Sequence, residues 1–151
     1  MFGKEVLKMD KTYTINDLAL MSGFTTRTLR NYLAQGILKG TKENGTWQFS
    51  EKEVYDFFAE PYVIEGLKIK HSSIVFDFLA EGKKKDSRTC VILDIPANME
   101  KNSEISAFFC DQMTKVKDTL FNLAWNDGQT RVILSGAQDQ VAQIMKAYYS
   151  L

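Results

Sequence analysis

Tyr13-Thr14-Ile15-Asn16-Asp17-Leu18-Ala19, a glycine at 23, Thr25-Thr26-Arg27-Thr28-Leu29-Arg30-Asn31-Tyr32-Leu33, Gly36-Ile37-Leu38-Lys39, and Asn44-Gly45-Thr46-Trp47-Gln48-Phe49 closed by Ser50-Glu51-Lys52-Glu53 form the stretch that decides the fold. Thr14 is a good N-cap, and Ile15, Leu18, Ala19 and Met21 give one apolar side over barely two helical turns. Gly23 reverses the chain, because glycine accepts the positive φ of a helix end. Thr25 or Thr26 caps a second helix in which Leu29, Tyr32 and Leu33 face inward at i, i+3 and i+4. Its other face carries Arg27, Thr28, Arg30 and Asn31. Asn44-Gly45 is a strong hairpin signal, and Ser50 with Glu53 is a capping box that opens a third helix through Val54, Phe57 and Phe58. Two helices, a glycine corner and a hairpin predict a helix-turn-helix with a wing.

Thr28-Leu29-Arg30 with Tyr32, Gly36-Ile37-Leu38, and the run from Gly45 to Ser50 resemble the head of the MerR family of winged-helix regulators over roughly residues 12–60. The resemblance implies DNA contacts from Arg27 and Arg30 on the recognition helix, beside Thr26, Thr28 and Asn31. It also implies that Lys39, Lys42 and the wing with Trp47 flank the phosphate backbone. Asn31 stands where the family usually shows the first of two tyrosines, and Trp47 where its wing carries arginine. Trp47-Gln48-Phe49 is also similar to phage excisionase heads. Trp47 either stacks on DNA or packs beside Phe49 against the third helix.

With 151 residues, 44% hydrophobic and 25% charged, the chain fits one medium or two small globular domains. No apolar run reaches the roughly 18 residues of a bilayer span, and the N-terminus lacks the apolar core of a secretory signal. Two cysteines without paired spacing argue against a disulfide framework and a zinc finger, which places the chain in a reducing cytoplasm. Net charge is zero, but four bases (Arg27, Arg30, Lys39, Lys42) face one acid (Glu43) between Gly23 and Gln48, whereas five bases meet seven acids from Thr89 onward. A head so modestly charged binds DNA strongly only when two are paired.

The expected division is residues 1–60 as winged head, 61–88 as a linker segment with a helix, and 89–151 as a small α/β domain. Residues 1–11 are a loose lead-in. Pro61 stops the third helix. Residues 61–70 lean to a strand or irregular crossing, and Ser72 or Ser73 caps a helix ending near Gly82. Lys83-Lys84-Lys85 belongs to a solvated connector. Residues 89–95 and 130–135 read as buried strands. Between them, Asn102 or Ser103 caps a long helix carrying Ile105, Phe108, Phe109, Met113, Val116, Leu120 and Leu123, and Asn126-Asp127-Gly128 ends it. A last helix carries Val141, Ile144, Met145 and Tyr148. That order predicts an α+β chain: a winged helix-turn-helix, then an α/β domain with a short parallel sheet.

His71, the only histidine, has no partner at ligand spacing and reads as a surface or helix-cap residue. Cys90 and Cys110 read as core packing. No nucleophile–base pair, phosphate-binding glycine loop or carboxylate dyad appears, so neither catalysis nor a metal or other cofactor is expected. Asp94 and Ser135-Gly136 would lie at the C-terminal edge of a parallel sheet, where a small-molecule effector could bind. Phe108, Phe109, Met113, Val116 and Leu120 would leave an apolar patch for homodimerisation. The expected function is a cytoplasmic, homodimeric, sequence-specific regulator binding double-stranded DNA, with no membrane partner. The alternatives are an excisionase-like architectural DNA binder, or a ligand-binding or enzymatic α/β domain whose winged head binds protein.

Overall fold

A computed structural model describes residues 11–151; the lead-in lies almost wholly outside them. The chain runs β1 (Thr12–Tyr13), α1 (Ile15–Ser22), α2 (Thr26–Gln35), β2 (Thr41–Glu43), β3 (Thr46–Ser50), α3 (Glu51–Ala59), α4 (Pro61–Ala80), β4 (Arg88–Pro96), α5 (Met99–Met113), β5 (Thr119–Asn126), β6 (Gln129–Ala137) and α6 (Gln138–Tyr149). Two three-stranded sheets form, in the orders β1-β3-β2 and β4-β6-β5.

The head follows its local signals. Thr14 caps α1 in a capping box with Asp17, Thr25 caps α2, and Ser50 caps α3 in a second box with Glu53. Asn44 and Gly45 both take positive φ, 52° and 78°, as a two-residue hairpin turn that follows the strand twist requires.

Residues 61–80 correct the expectation of a strand or crossing followed by a helix capped at Ser72 or Ser73. They form one helix of 20 residues. Pro61 sits at N1, where its missing N–H leaves no intrahelical bond unmade, so it ends α3 and starts α4 together. Gly66 lies inside this helix. A Cβ there would lie 3.2–3.3 Å from the Phe24 ring, so the bare backbone lets the ring close against α4.

The second sheet is antiparallel, not parallel. β6 lies between β4 and β5 and runs antiparallel to both, with Ile92↔Ile133 and Asn122↔Ile133 in register. The expected helix through residue 123 ends at Met113; Leu120 and Leu123 belong to β5. Its cap is Asn98, whose Oδ1 accepts the Lys101 N–H at 2.8 Å, and not Asn102 or Ser103. Val116, Leu120 and Leu123 do fit a helical stripe, which hid the alternation of Phe121, Leu123 and Trp125. Asp127-Gly128, with φ of 48° and 72°, is the β5–β6 hairpin turn and not a helix end. A connection this tight permits only antiparallel pairing. β4 is a half-buried edge strand, so only β6 fits the expectation of a buried strand.

Antiparallel pairing also parts the expected effector edge. Asp94 pairs with Arg131 and Ser135 with Cys90, four positions apart along the ladder. The apolar patch dissolves similarly: Phe109 is buried, Phe108, Met113 and Val116 are half-buried, and among these five only Leu120 stays exposed.

Head and second sheet share one core. Fully buried Trp125 donates its indole N–H to Ser106 Oγ at 2.7 Å and meets Tyr13 and Phe58 of the head at ring distances of 5.9 and 5.7 Å. Such aromatic contacts add to the area term, because ring edges meet ring faces.

Candidate nucleic-acid interface

The corner between α1 and α2 is built from its own hydrogen bonds. Gly23, with φ 77°, donates its N–H to Ala19 O at 2.9 Å. Ser22 Oγ donates to Leu18 O at 2.6 Å and accepts the Phe24 N–H at 3.1 Å. Thr25 Oγ1 accepts the Thr28 N–H at 3.1 Å and so starts α2. Leu29 and Tyr32 then enter the core, Tyr32 meeting Phe24 edge-on at 5.6 Å.

That inward commitment fixes what α2 shows outside. Arg27, Arg30 and Asn31 are exposed on one face at i, i+3 and i+4, with Thr26 and Thr28 half-buried beside them. Among the described residues neither Arg27 nor Arg30 meets a carboxylate or any other partner. α2 holds no acidic residue. Two guanidinium groups without carboxylates, carried on a helix with no opposing charge, make a donor-rich surface suited to acceptors on base edges and phosphates.

The wing, β2 and β3, follows α2 in the chain. Lys39 and Lys42 are exposed, and the Lys42 ammonium lies 5.8 Å from the Trp47 ring centroid. Trp47 is half-buried and stacks on Phe49 at 6.4 Å and 14°. Of the two roles expected for Trp47, packing beside Phe49 is the one this geometry displays.

Residues 13–57 match a family model, that of the MerR HTH family regulatory proteins. The head is a MerR-type helix-turn-helix. The match spans well under half the chain, and no curated protein or solved structure matches it significantly. In this MerR-type head, Asn31 lies on the exposed face of α2, and Trp47 turns its indole inward onto Phe49. No helix among the described residues is long and apolar enough to cross a membrane.

The residues that hold the MerR-type head in place were not expected. His71 is buried in the middle of α4, neither at the surface nor at a cap, and its Nε2 lies 2.7 Å from Asn122 Oδ1. Asn122 in turn donates from Nδ2 to Ser22 O at 2.9 Å. Burial lowers the His71 pKa from its usual 6.5, and Arg131 adds to this; the Asn122 bond and Asp94 oppose it. The folded protein therefore favours neutral His71. Because the unfolded chain takes up the proton more readily, stability should fall as pH drops below about 6.5 and level off beneath the depressed folded value. Melting temperatures between pH 8 and 5 check this, and His71→Gln should flatten the fall.

The remaining polar candidates are structural. Lys84 donates to the Phe78 and Glu81 carbonyls at 2.7 and 2.6 Å, closing the end of α4, while Lys83 and Lys85 stay exposed. Cys90 is half-buried, and burial pushes the Cys110 thiol up to about 12, which keeps it protonated and unreactive at neutral pH.

Proposed function

We propose that the protein is a sequence-specific transcriptional regulator that binds double-stranded DNA as a homodimer. The observation that carries this reading is the partnerless cationic face of α2 beside a wing, in a MerR-type head. Thr26, Arg27, Thr28, Arg30 and Asn31 read base edges, and Lys39, Lys42 and the rim of Trp47 meet the phosphates on either side. Residues 1–60 read DNA, 61–88 pair two copies, and 89–151 form the platform that holds head and pairing helix together.

Support for pairing comes from α4. Tyr62, Ile69 and Phe76, spaced seven apart, are 67–69% exposed, and Leu79 is 72% exposed. This stripe runs about 25 Å along the helix at the usual rise per residue. It continues into an open groove of about 530 Å³ lined by His71, Ser72, Val75, Phe76, Leu79, Ile92, Arg131 and Ile133. An apolar stripe left open along a whole helix and continuous with a groove is the kind of surface that marks a protein–protein contact. The same groove, closed by the partner, is where we place a small-molecule effector.

A salt titration tests the DNA reading. Binding to a random duplex should weaken linearly on a double-logarithmic plot, with a slope of about 0.9 for each phosphate neutralised. A chain with no duplex affinity at low salt would instead favour a head that binds protein.

A further inference from the structure

Asn122 joins three elements that lie far apart in sequence. It stands in mid-β5, in register with Ile133 and, one strand further, Ile92, both of which line the groove against α4. Its amide is buried and uses both ends: the oxygen meets His71 of α4, and the nitrogen donates to Ser22 O, the last carbonyl of α1. Ser22 is buried too, and it is followed directly by Gly23 and, three residues on, by the Thr25 cap of α2. A Cβ on Gly23 would collide with Asn122 Nδ2, so the corner and the amide have room for nothing between them.

We propose that Asn122 is a positioning residue for DNA reading, which sets the orientation of the recognition helix α2 relative to the pairing helix α4. The proposal rests on the homodimer reading above. The reason is geometric. The head is fastened to the platform at one end through the aromatic contact of Trp125 with Tyr13 and Phe58 and through the buried hydrogen bond between the Tyr13 hydroxyl and Ser103 Oγ. That end has a single buried side-chain hydrogen bond between head and platform, whereas two hydrogen bonds from one planar amide fix angle as well as distance. At the α1–α2 corner the head is held by that amide and by the Phe24 ring, which closes against α4 at Gly66. With both attachments in place, the distance between two α2 helices in a dimer is set by the fold and not by the DNA. Without the two bonds of the amide, the heads would adjust more readily to the half-site spacing they met. His71 extends the same chain of bonds to the groove lining, so closure of that groove by a partner is felt at the corner through two hydrogen bonds.

The test uses the full chain and a palindromic operator selected from random duplex. Wild type, Asn122→Leu, Asn122→Asp and the control Val141→Ala are titrated with that operator and with a version lengthened by about half a helical turn between half-sites. Asn122→Asp keeps the size and the His71 bond but turns a carboxylate oxygen toward the Ser22 carbonyl. Val141 is buried on α6, away from the head, and reports simple loss of stability. In wild type and Val141→Ala the lengthened site should bind about 100-fold more weakly, and in both Asn122 variants this penalty should shrink by about tenfold. Full retention of the wild-type penalty in both Asn122 variants overturns the proposal. A second measurement does not depend on pairing. The Gly23 and Phe24 amides, bonded to Ala19 O and Ser22 Oγ, should exchange hydrogen about tenfold faster in the Asn122 variants and unchanged in Val141→Ala. Unaltered exchange in the Asn122 variants also overturns it. A wild-type chain indifferent to spacing sinks the homodimer reading instead, and the exchange rates then decide the role of Asn122.

Discussion

Replacing both Arg27 and Arg30 by alanine should remove specific DNA binding while leaving the fold intact. Each guanidinium that pairs with a guanine edge discriminates by about 1–3 kcal/mol, so the pair should cost between roughly 30-fold and 20,000-fold in operator affinity. Neither side chain has a partner among the described residues, and both are exposed, so the melting temperature should shift by less than about 2 °C. Fluorescence anisotropy with a labelled operator measures the first quantity and calorimetry the second. Unchanged operator affinity would remove α2 from the interface altogether. Lys39→Ala and Lys42→Ala set the contrast: each should weaken all duplexes alike and lower the salt slope by about 1.

Phe76→Glu should convert the protein to a monomer. Phe76 lies where the exposed stripe of α4 meets the groove, and a carboxylate there must either stay in water or be buried unpaired, the second option costing several kcal/mol. Affinity for a palindromic operator should fall by two or more orders of magnitude, because the second half-site no longer binds as an intramolecular event. Sedimentation at micromolar concentration checks the assembly, and circular dichroism should show an unaltered fold because the side chain is already 69% exposed. A wild-type chain that sediments as a monomer defeats the pairing proposal outright. Phe109→Ala behaves differently: Phe109 is wholly buried against Phe121 and Tyr148, so its loss should cost about 3–5 kcal/mol of stability and unfold the sheet before it affects pairing.

The contrast between Phe76 and Phe109 shows why the exposed apolar surface could not be taken from composition. Both are phenylalanines within apolar stripes, and the stripe around Phe109 looked the broader. Which stripe remains open depends on what α5 lies against. β5 and β6 supply that cover, and β5 was not legible as a strand. The relevant local clue was present in Asp127-Gly128, since such a pair between apolar runs is a hairpin signal of the same kind as Asn44-Gly45. It was masked because Val116, Leu120 and Leu123 also satisfy a helical period. Similarly, Tyr62, Ile69 and Phe76 repeat every seven residues, but Pro61 argued against a helix until its role as N1 residue was visible.

By itself the sequence determined the head. Thr14, Thr25 and Ser50 cap its helices, Gly23 turns its corner and Asn44-Gly45 closes its wing, and each acts within about four residues of itself, so one reading satisfies all of them. The exposed arginines followed, because committing Leu29 and Tyr32 to the core leaves Arg27 and Arg30 outside. Only tertiary structure decided the sheet direction, the surface left for pairing and the buried bonds of His71 and Asn122. Their partners are 51 and 100 residues apart in the chain, and no local propensity reports an amide whose two ends are satisfied by a helix and a helix corner so distant. Burial made those bonds obligatory: an amide in the core must find both partners, and the fold alone says which they are.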